Sequence, residues 1–367
     1  MTLPLQLGLL AWLVHVVPLA RGVAGVLCPG QHGLGPAQRD AVLRDADPNS
    51  VGLLQRRAAA LAPRKPREMP PALKRAAPIT WVHVPKCGSS FVNTLIHLPG
   101  VCNSAIPEDL YVSMSTFGVH FLSAFGKTWD VWSNCLGLER ARFGHRGIGE
   151  SGSDYYAERE GTFMIMLRGP EQRLLSAWKD MRGASKWGVL NDDLMDPSRS
   201  WGGWPTTELP TPSVFAEYAR GCAVRMLTRP GLVCGGAGGP PREDEVELAV
   251  ERLRTGFSFV GLTDQWALSM CLFDAMFHTG CSPLQFEDAR PGPDKRNNST
   301  TGYEEDRLHG ITDPYDEKLY AEAVKIFKAN LERYNVSEAS CQPCWQVAGV
   351  APDTAELGAF YEDESEV

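Results

Sequence analysis

The chain carries no excess of positive charge. Across 367 residues, 36 Lys and Arg are set against 44 Asp and Glu, a formal net charge of −8. No global basic field draws nucleic acid to it, and any basic site is local. The nucleotide loop G-x-x-x-x-G-K-[ST] is missing: in the stretch most like it, 85–90, Lys86 precedes the only glycine, Gly88. No carboxylate after a strand stands out as a magnesium ligand, which counts against a P-loop kinase or nucleotide hydrolase. Cys341-Gln-Pro-Cys344 has neither a second CxxC nor a histidine pair beside it, so zinc is not expected there, and no metal site is read anywhere else. Internal repeats are absent.

What is present reads as globular, with 43% hydrophobic and 22% charged residues. The length suits one large α/β domain or two small ones. Ten cysteines are many for a cytosolic enzyme of this size. The N-terminus accounts for them: residues 3–20 are apolar apart from Gln6 and His15, and Arg21 follows. That is a signal peptide or signal-anchor over 1–24, with small residues at Gly22 to Gly25 for cleavage. Pro4, Pro18 and the lack of a basic n-region weaken it as a membrane span, yet an anchor is slightly preferred to secretion. Either way the chain enters an oxidising lumen where disulfides form. Sequons at Asn297, Asn298 and Asn335 agree with that route.

Residues 25–76 have the Pro, Ala and basic composition of a stem, 77–346 read as a single folded domain, and 347–367 as an acidic disordered tail. Apolar runs at 79–84, 162–167 and 257–262 predict buried strands. Helices are expected over 171–181 behind Pro170, over 212–227 with Ser213 as cap, over 243–253, from Thr263 or Asp264 to about His278, and over 316–334. Residues 186–211 read as a lid or substrate loop, and 231–241 as a flexible glycine-rich connection. Strands alternating with helices predict a mostly parallel sheet covered on both faces, with ligands at the carboxyl ends of its strands.

Two loops follow strands and fall on that edge. In 85–90, Lys86-Cys87-Gly88-Ser89-Ser90 precedes Phe91, Val92, Leu95 and Ile96 at helical spacing. Such a turn aims backbone N–H groups, a lysine and two hydroxyls at one point, which suits a phosphate or sulfate. In the second, Arg168 ends a strand and Ser176 lies two turns along the next helix. Together these can grip one phosphate through charge-assisted bonds and a hydroxyl.

These motifs resemble the Golgi membrane-type carbohydrate sulfotransferases, in particular the uronosyl 2-O- and galactose 3-O-sulfotransferase branches. Their 5′-phosphosulfate loop is similar to 83–91, and their 3′-phosphate element to 167–178, with Gly169 standing where the family has Asp. The likeness continues in 259–264 and 316–320 and spans 79–334. It implies a P-loop-like, mostly parallel sheet flanked by helices in a single catalytic domain. The co-substrate would be 3′-phosphoadenosine 5′-phosphosulfate (PAPS), with no metal. The reaction implied is sulfuryl transfer to a glycan hydroxyl at the Golgi membrane, with the catalytic domain in the lumen. Lys86 would stabilise the departing oxygen. Lys86 to Phe91, including Cys87, Gly88, Ser89 and Ser90, would hold the 5′-phosphate, and Arg168 and Ser176 the 3′-phosphate. Lys295 and Arg296 would close over the nucleotide from a late polar loop, which leaves Asn335 the better glycan site.

The base that takes the acceptor proton is read as His145, in the glycine-flanked segment 143–147 between the two cofactor motifs. His120 is the alternative, and His83 is expected to pack within its strand. Arg140, Arg142, Arg146, Lys179, Arg182 and Lys186 are candidates for a basic acceptor groove. A non-catalytic lumenal glycan-binding protein on the same fold is the other reading; retention of Lys86 and a base counts against it. Cys271 and Cys281 are placed to pair, and Cys87 is expected to stay a free thiol.

Overall fold

The computed structural model describes residues 68–102, 135–139, 145–149, 155–185, 210–235, 238–288 and 305–350. The three apolar runs become one parallel sheet of β1 (Thr80–Val82), β3 (Phe163–Leu167) and β5 (Phe257–Leu262), in the order β1–β3–β5. A second, antiparallel pair joins β2 (Arg146–Ile148) to β4 (Pro230–Leu232). Every residue of β3 is buried, as a central parallel strand covered on both faces requires. Register runs Trp81↔Met164 on one side and Ile165↔Val260 on the other. β1 is shorter than its apolar run, because the Val84 amide turns back to the Val82 carbonyl. On its outer edge Ile79 pairs in parallel with Leu138.

Ten α-helices are described: α1 (Pro71–Arg75), α2 (Phe91–Ile96), α3 (Tyr155–Arg159), α4 (Pro170–Ser185), α5 (Pro212–Ala219), α6 (Cys222–Thr228), α7 (Glu243–Gly256), α8 (Trp266–Phe277), α9 (Pro314–Arg333) and α10 (Glu338–Ala348). α7, α8 and α9 pack on β5. α1 lies in the stretch read as stem, yet its Leu73 is 0% exposed, so packing begins before residue 77. At the other end α10 buries Trp345.

Several expectations are corrected. The helix expected over 212–227 is two helices, broken at Gly221, whose φ of 72° suits glycine. Its cap is Thr211, which accepts from the Val214 amide, rather than Ser213. Neither Thr263 nor Asp264 caps α8; Gln265 occupies that position without a side-chain cap bond. The glycine-rich stretch holds β4, and Arg229 donates to the carbonyls of Gly238, Gly239 and Pro240. Cys271 pairs with Cys341 and Cys281 with Cys344, because α8 lies against α10. Cys102–Cys135 and Cys222–Cys234 complete the disulfides among the described residues, and Cys87 is a free, buried thiol.

Candidate functional site

Past β1 the chain makes a tight loop with two residues in the left-handed region, Lys86 at φ 70° and Gly88 at φ 71°. Such a conformation is costly for lysine, and outliers of this kind gather at ligand sites. Gly88 is required twice over: a Cβ there would stand 2.6 Å from Trp266 Cζ3 and 3.1 Å from Thr263 Cγ2. The loop is therefore seated on the exit of β5 and the start of α8. The Phe91 amide closes on the Gly88 carbonyl at 2.9 Å, while the Gly88 and Ser89 amides have no acceptor among the described residues. Because α2 has six residues, an anion held here would rest on loop amides and side chains more than on a helix dipole.

The loop's other members divide by burial. Cys87 is 1% exposed, and its amide donates to the Val84 carbonyl. Burial pushes its thiol up to about 12, against the pull of Arg173 and Arg168, so it stays protonated. Phe91 packs on Phe259 and Phe273. Cys87 and Phe91 thus shape the loop from beneath, leaving Lys86, Gly88, Ser89 and Ser90 as the candidates for contact with an anion. Ser90 sits at the N-cap of α2 without a side-chain cap bond.

His145 stands one residue before β2, which brings it to the exit of β1. Its Nδ1 lies 2.8 Å from the His83 carbonyl oxygen. A carbonyl only accepts, so Nδ1 carries the proton, and in the neutral ring Nε2 is the basic nitrogen. Gly147 in β2 and Gly149 just past it let this segment lie against the end of α6: a Cβ at Gly147 would stand 2.0 Å from the Arg229 oxygen, and one at Gly149 2.0 Å from that of Thr228.

His83, expected only to pack, belongs to the same cluster. Its ring stacks on Trp81 with centroids 4.0 Å apart and lies 4.2 Å from that of His145. Its Nε2 is 3.0 Å from Ser89 Oγ. In sequence His83 stands one residue past β1, and only the folded loop brings Ser89 back to it.

Arg168 leaves β3 partly buried, close enough to the Cys87 thiol to act on its ionisation. Ser176, two turns into α4, is 4% exposed. A Cβ at Gly169 would meet only Gln172 and, at 3.9 Å, Asp264 Oδ2. Asp264, from the exit of β5, thus brings a carboxylate to that turn. Tyr320 from α9 donates its hydroxyl to Asp264 Oδ2. Burial, reinforced by Asp264, raises the tyrosine's own pKa.

Arg146 is exposed and Lys179 half-buried, and the backbone of Arg182 lies in α4. His120, Arg140, Arg142, Lys186, Lys295, Arg296 and the sequons at Asn297 and Asn298 lie outside the described residues. Asn335 is exposed just past α9. No family model, curated protein or solved structure matches this chain.

Proposed function

We propose that this chain is a PAPS-dependent carbohydrate sulfotransferase, acting on glycans in the secretory pathway from a lumenal domain held at the Golgi membrane. The observation that carries this reading is the bond between His145 Nδ1 and the His83 carbonyl. It leaves a basic Nε2 beside a loop that holds a lysine, two serines and two amides without acceptors among the described residues.

The residues fit the co-substrate's two phosphates. The Gly88 and Ser89 amides, with Lys86, form a donor set for one phosphate, and Arg168 at the exit of the neighbouring strand supplies a guanidinium for the other. PAPS, when bound, supplies the sulfuryl group. His145 accepts the proton of the acceptor hydroxyl at Nε2. Lys86 sets a positive charge at the loop, where negative charge builds as the sulfuryl group is transferred. Cys87 takes no chemical part, since burial keeps its thiol neutral.

One observation favours a second reading. Asp264 stands two residues past β5, where a magnesium-binding carboxylate of a kinase or nucleotide hydrolase would be. Its Oδ2 is bonded to Tyr320, which makes it a poorer ligand, and the loop's lysine precedes its glycine.

The test incubates the full-length chain with radiolabelled PAPS and a panel of glycans, beside Lys86→Ala and His145→Ala. Wild type is expected to label one glycan class, and each variant to lose about 10²-fold or more in rate. Labelling that survives both substitutions would remove these roles. A folded wild type that binds no 3′-phosphoadenosine 5′-phosphate would overturn the sulfotransferase reading itself.

A further inference from the structure

We propose that His83 is a positioning residue of this site, turning the Ser89 hydroxyl proton toward a bound 5′-phosphate while its own backbone holds the base. The inference rests on the sulfotransferase reading above. A serine hydroxyl has one proton and two lone pairs. To bind an anion it must point the proton at the anion, which leaves its oxygen able to accept from elsewhere. His83 Nε2, 3.0 Å from Ser89 Oγ, is the group that can donate there. With Nε2 bare, Ser89 would give its proton to the imidazole and turn lone pairs toward the phosphate. Anion binding therefore selects the Nε2–H form of His83.

The ring is fixed for this task. His83 is 7% exposed and stacks on Trp81 at an interplanar angle of 19°. Packing alone accounts for the burial and the stack, but not for a ring nitrogen directed at the loop hydroxyl. The same residue's carbonyl receives His145 Nδ1 at 2.8 Å. One residue thereby joins the anion loop to the base: its side chain acts on nucleotide affinity and its backbone on the proton-accepting tautomer. Substituting the side chain keeps the carbonyl, so the two effects separate.

The experiment uses full-length His83→Leu, His83→Gln, Ser89→Ala and the His83→Leu/Ser89→Ala double variant. Affinity for 3′-phosphoadenosine 5′-phosphate is read by calorimetry, and KM for PAPS and kcat by the labelling assay. His83→Leu and Ser89→Ala are each expected to weaken nucleotide binding about tenfold. The double variant should be no weaker than either single one. KM for PAPS should rise with little change in kcat. His83→Gln, whose side-chain amide reaches the Nε2 position, should recover most of the affinity. Wild-type affinity in folded His83→Leu, or losses that add in the double variant, would overturn the proposal and leave the sulfotransferase reading standing. Absence of nucleotide binding by wild type would overturn both. Should His83→Leu not fold, His83→Asn takes its place in the cycle, since its shorter amide cannot reach Ser89.

Discussion

Arg168 and Arg173 lie close together at the exit of β3 in opposite surroundings. Arg173 is 1% exposed, with Nη2 3.1 Å from Asp313 Oδ2 and 3.2 Å from Asp316 Oδ2. Burial works against its charge, and Asp316 and Asp313 more than offset that. The two carboxylates also accept from the amides of Gly221, Ala223 and Val224, so α4, α6 and α9 are pinned at one buried point. Arg168 is only partly buried and lies beside the loop at the carboxyl end of the sheet. What makes Arg173 a clamp is its full burial between two carboxylates contributed by residues far away in the chain, whereas Arg168 stays partly exposed.

The sharpest way to break that distinction is to truncate each arginine. Arg173→Ala leaves two buried carboxylates without their cation and is expected to lose about 3–5 kcal/mol in denaturant unfolding. Arg168→Ala should stay within about 1 kcal/mol of wild type in the same measurement. It should nonetheless weaken 3′-phosphoadenosine 5′-phosphate binding by about tenfold or more. A large stability loss in Arg168→Ala, with nucleotide affinity intact, would make both arginines structural.

The sequence carried the sheet and the loop because both are local signals. Runs such as 163–167 bury every side chain, and Pro85 and Gly88 mark the turn. The rest depended on distant partners. β2 and β4 are three residues each and rich in Gly and Pro, too short to show a period. The break at Gly221 is satisfied by Asp313, 92 residues on. Cys271 and Cys281 were near in sequence, but α10 brings Cys341 and Cys344 to them. His83 read as a packing residue because its place in the site appears only when the loop folds back and returns Ser89 to it. Arg173 carried no signal of its own, since the carboxylates that bury it lie on α9 and just before it.

Lys86 extends the contrast to the backbone. A left-handed φ of 70° is unfavourable for any residue with a Cβ, by about 1 kcal/mol. If the conformation is kept for function, the two simplest truncations must separate. Lys86→Gly accepts that φ freely, though it gains entropy when unfolded, whereas Lys86→Ala keeps the strain. Both should lose sulfuryl transfer, while Lys86→Gly unfolds at the higher denaturant concentration, by about 1 kcal/mol. Equal stabilities would mean that the loop relaxes once the lysine is gone, and the strain would no longer point to a site.

Asp274 is the counter-case to the Arg173 clamp: a half-buried carboxyl whose buried Oδ2 has no partner among the described residues. Thr279 and Gln285 both donate to Oδ1, at 2.6 and 2.8 Å. Burial pushes this carboxyl up to about 6, against the pull of those two bonds. The folded chain thus binds the proton more tightly than the unfolded one, where an aspartate titrates near about 4. The resulting stability is full below about pH 4 and is lost as pH rises through about 6. Asp274→Asn keeps an acceptor for Thr279 and Gln285 and removes the charge. Measured at pH 7.5, it should raise stability by about 1 kcal/mol, or about 2–4 °C in Tm. At pH 4 the gain should shrink toward zero. An equal gain at both values would assign the effect to packing rather than charge, and Asp274 would then cease to be the clamp's opposite.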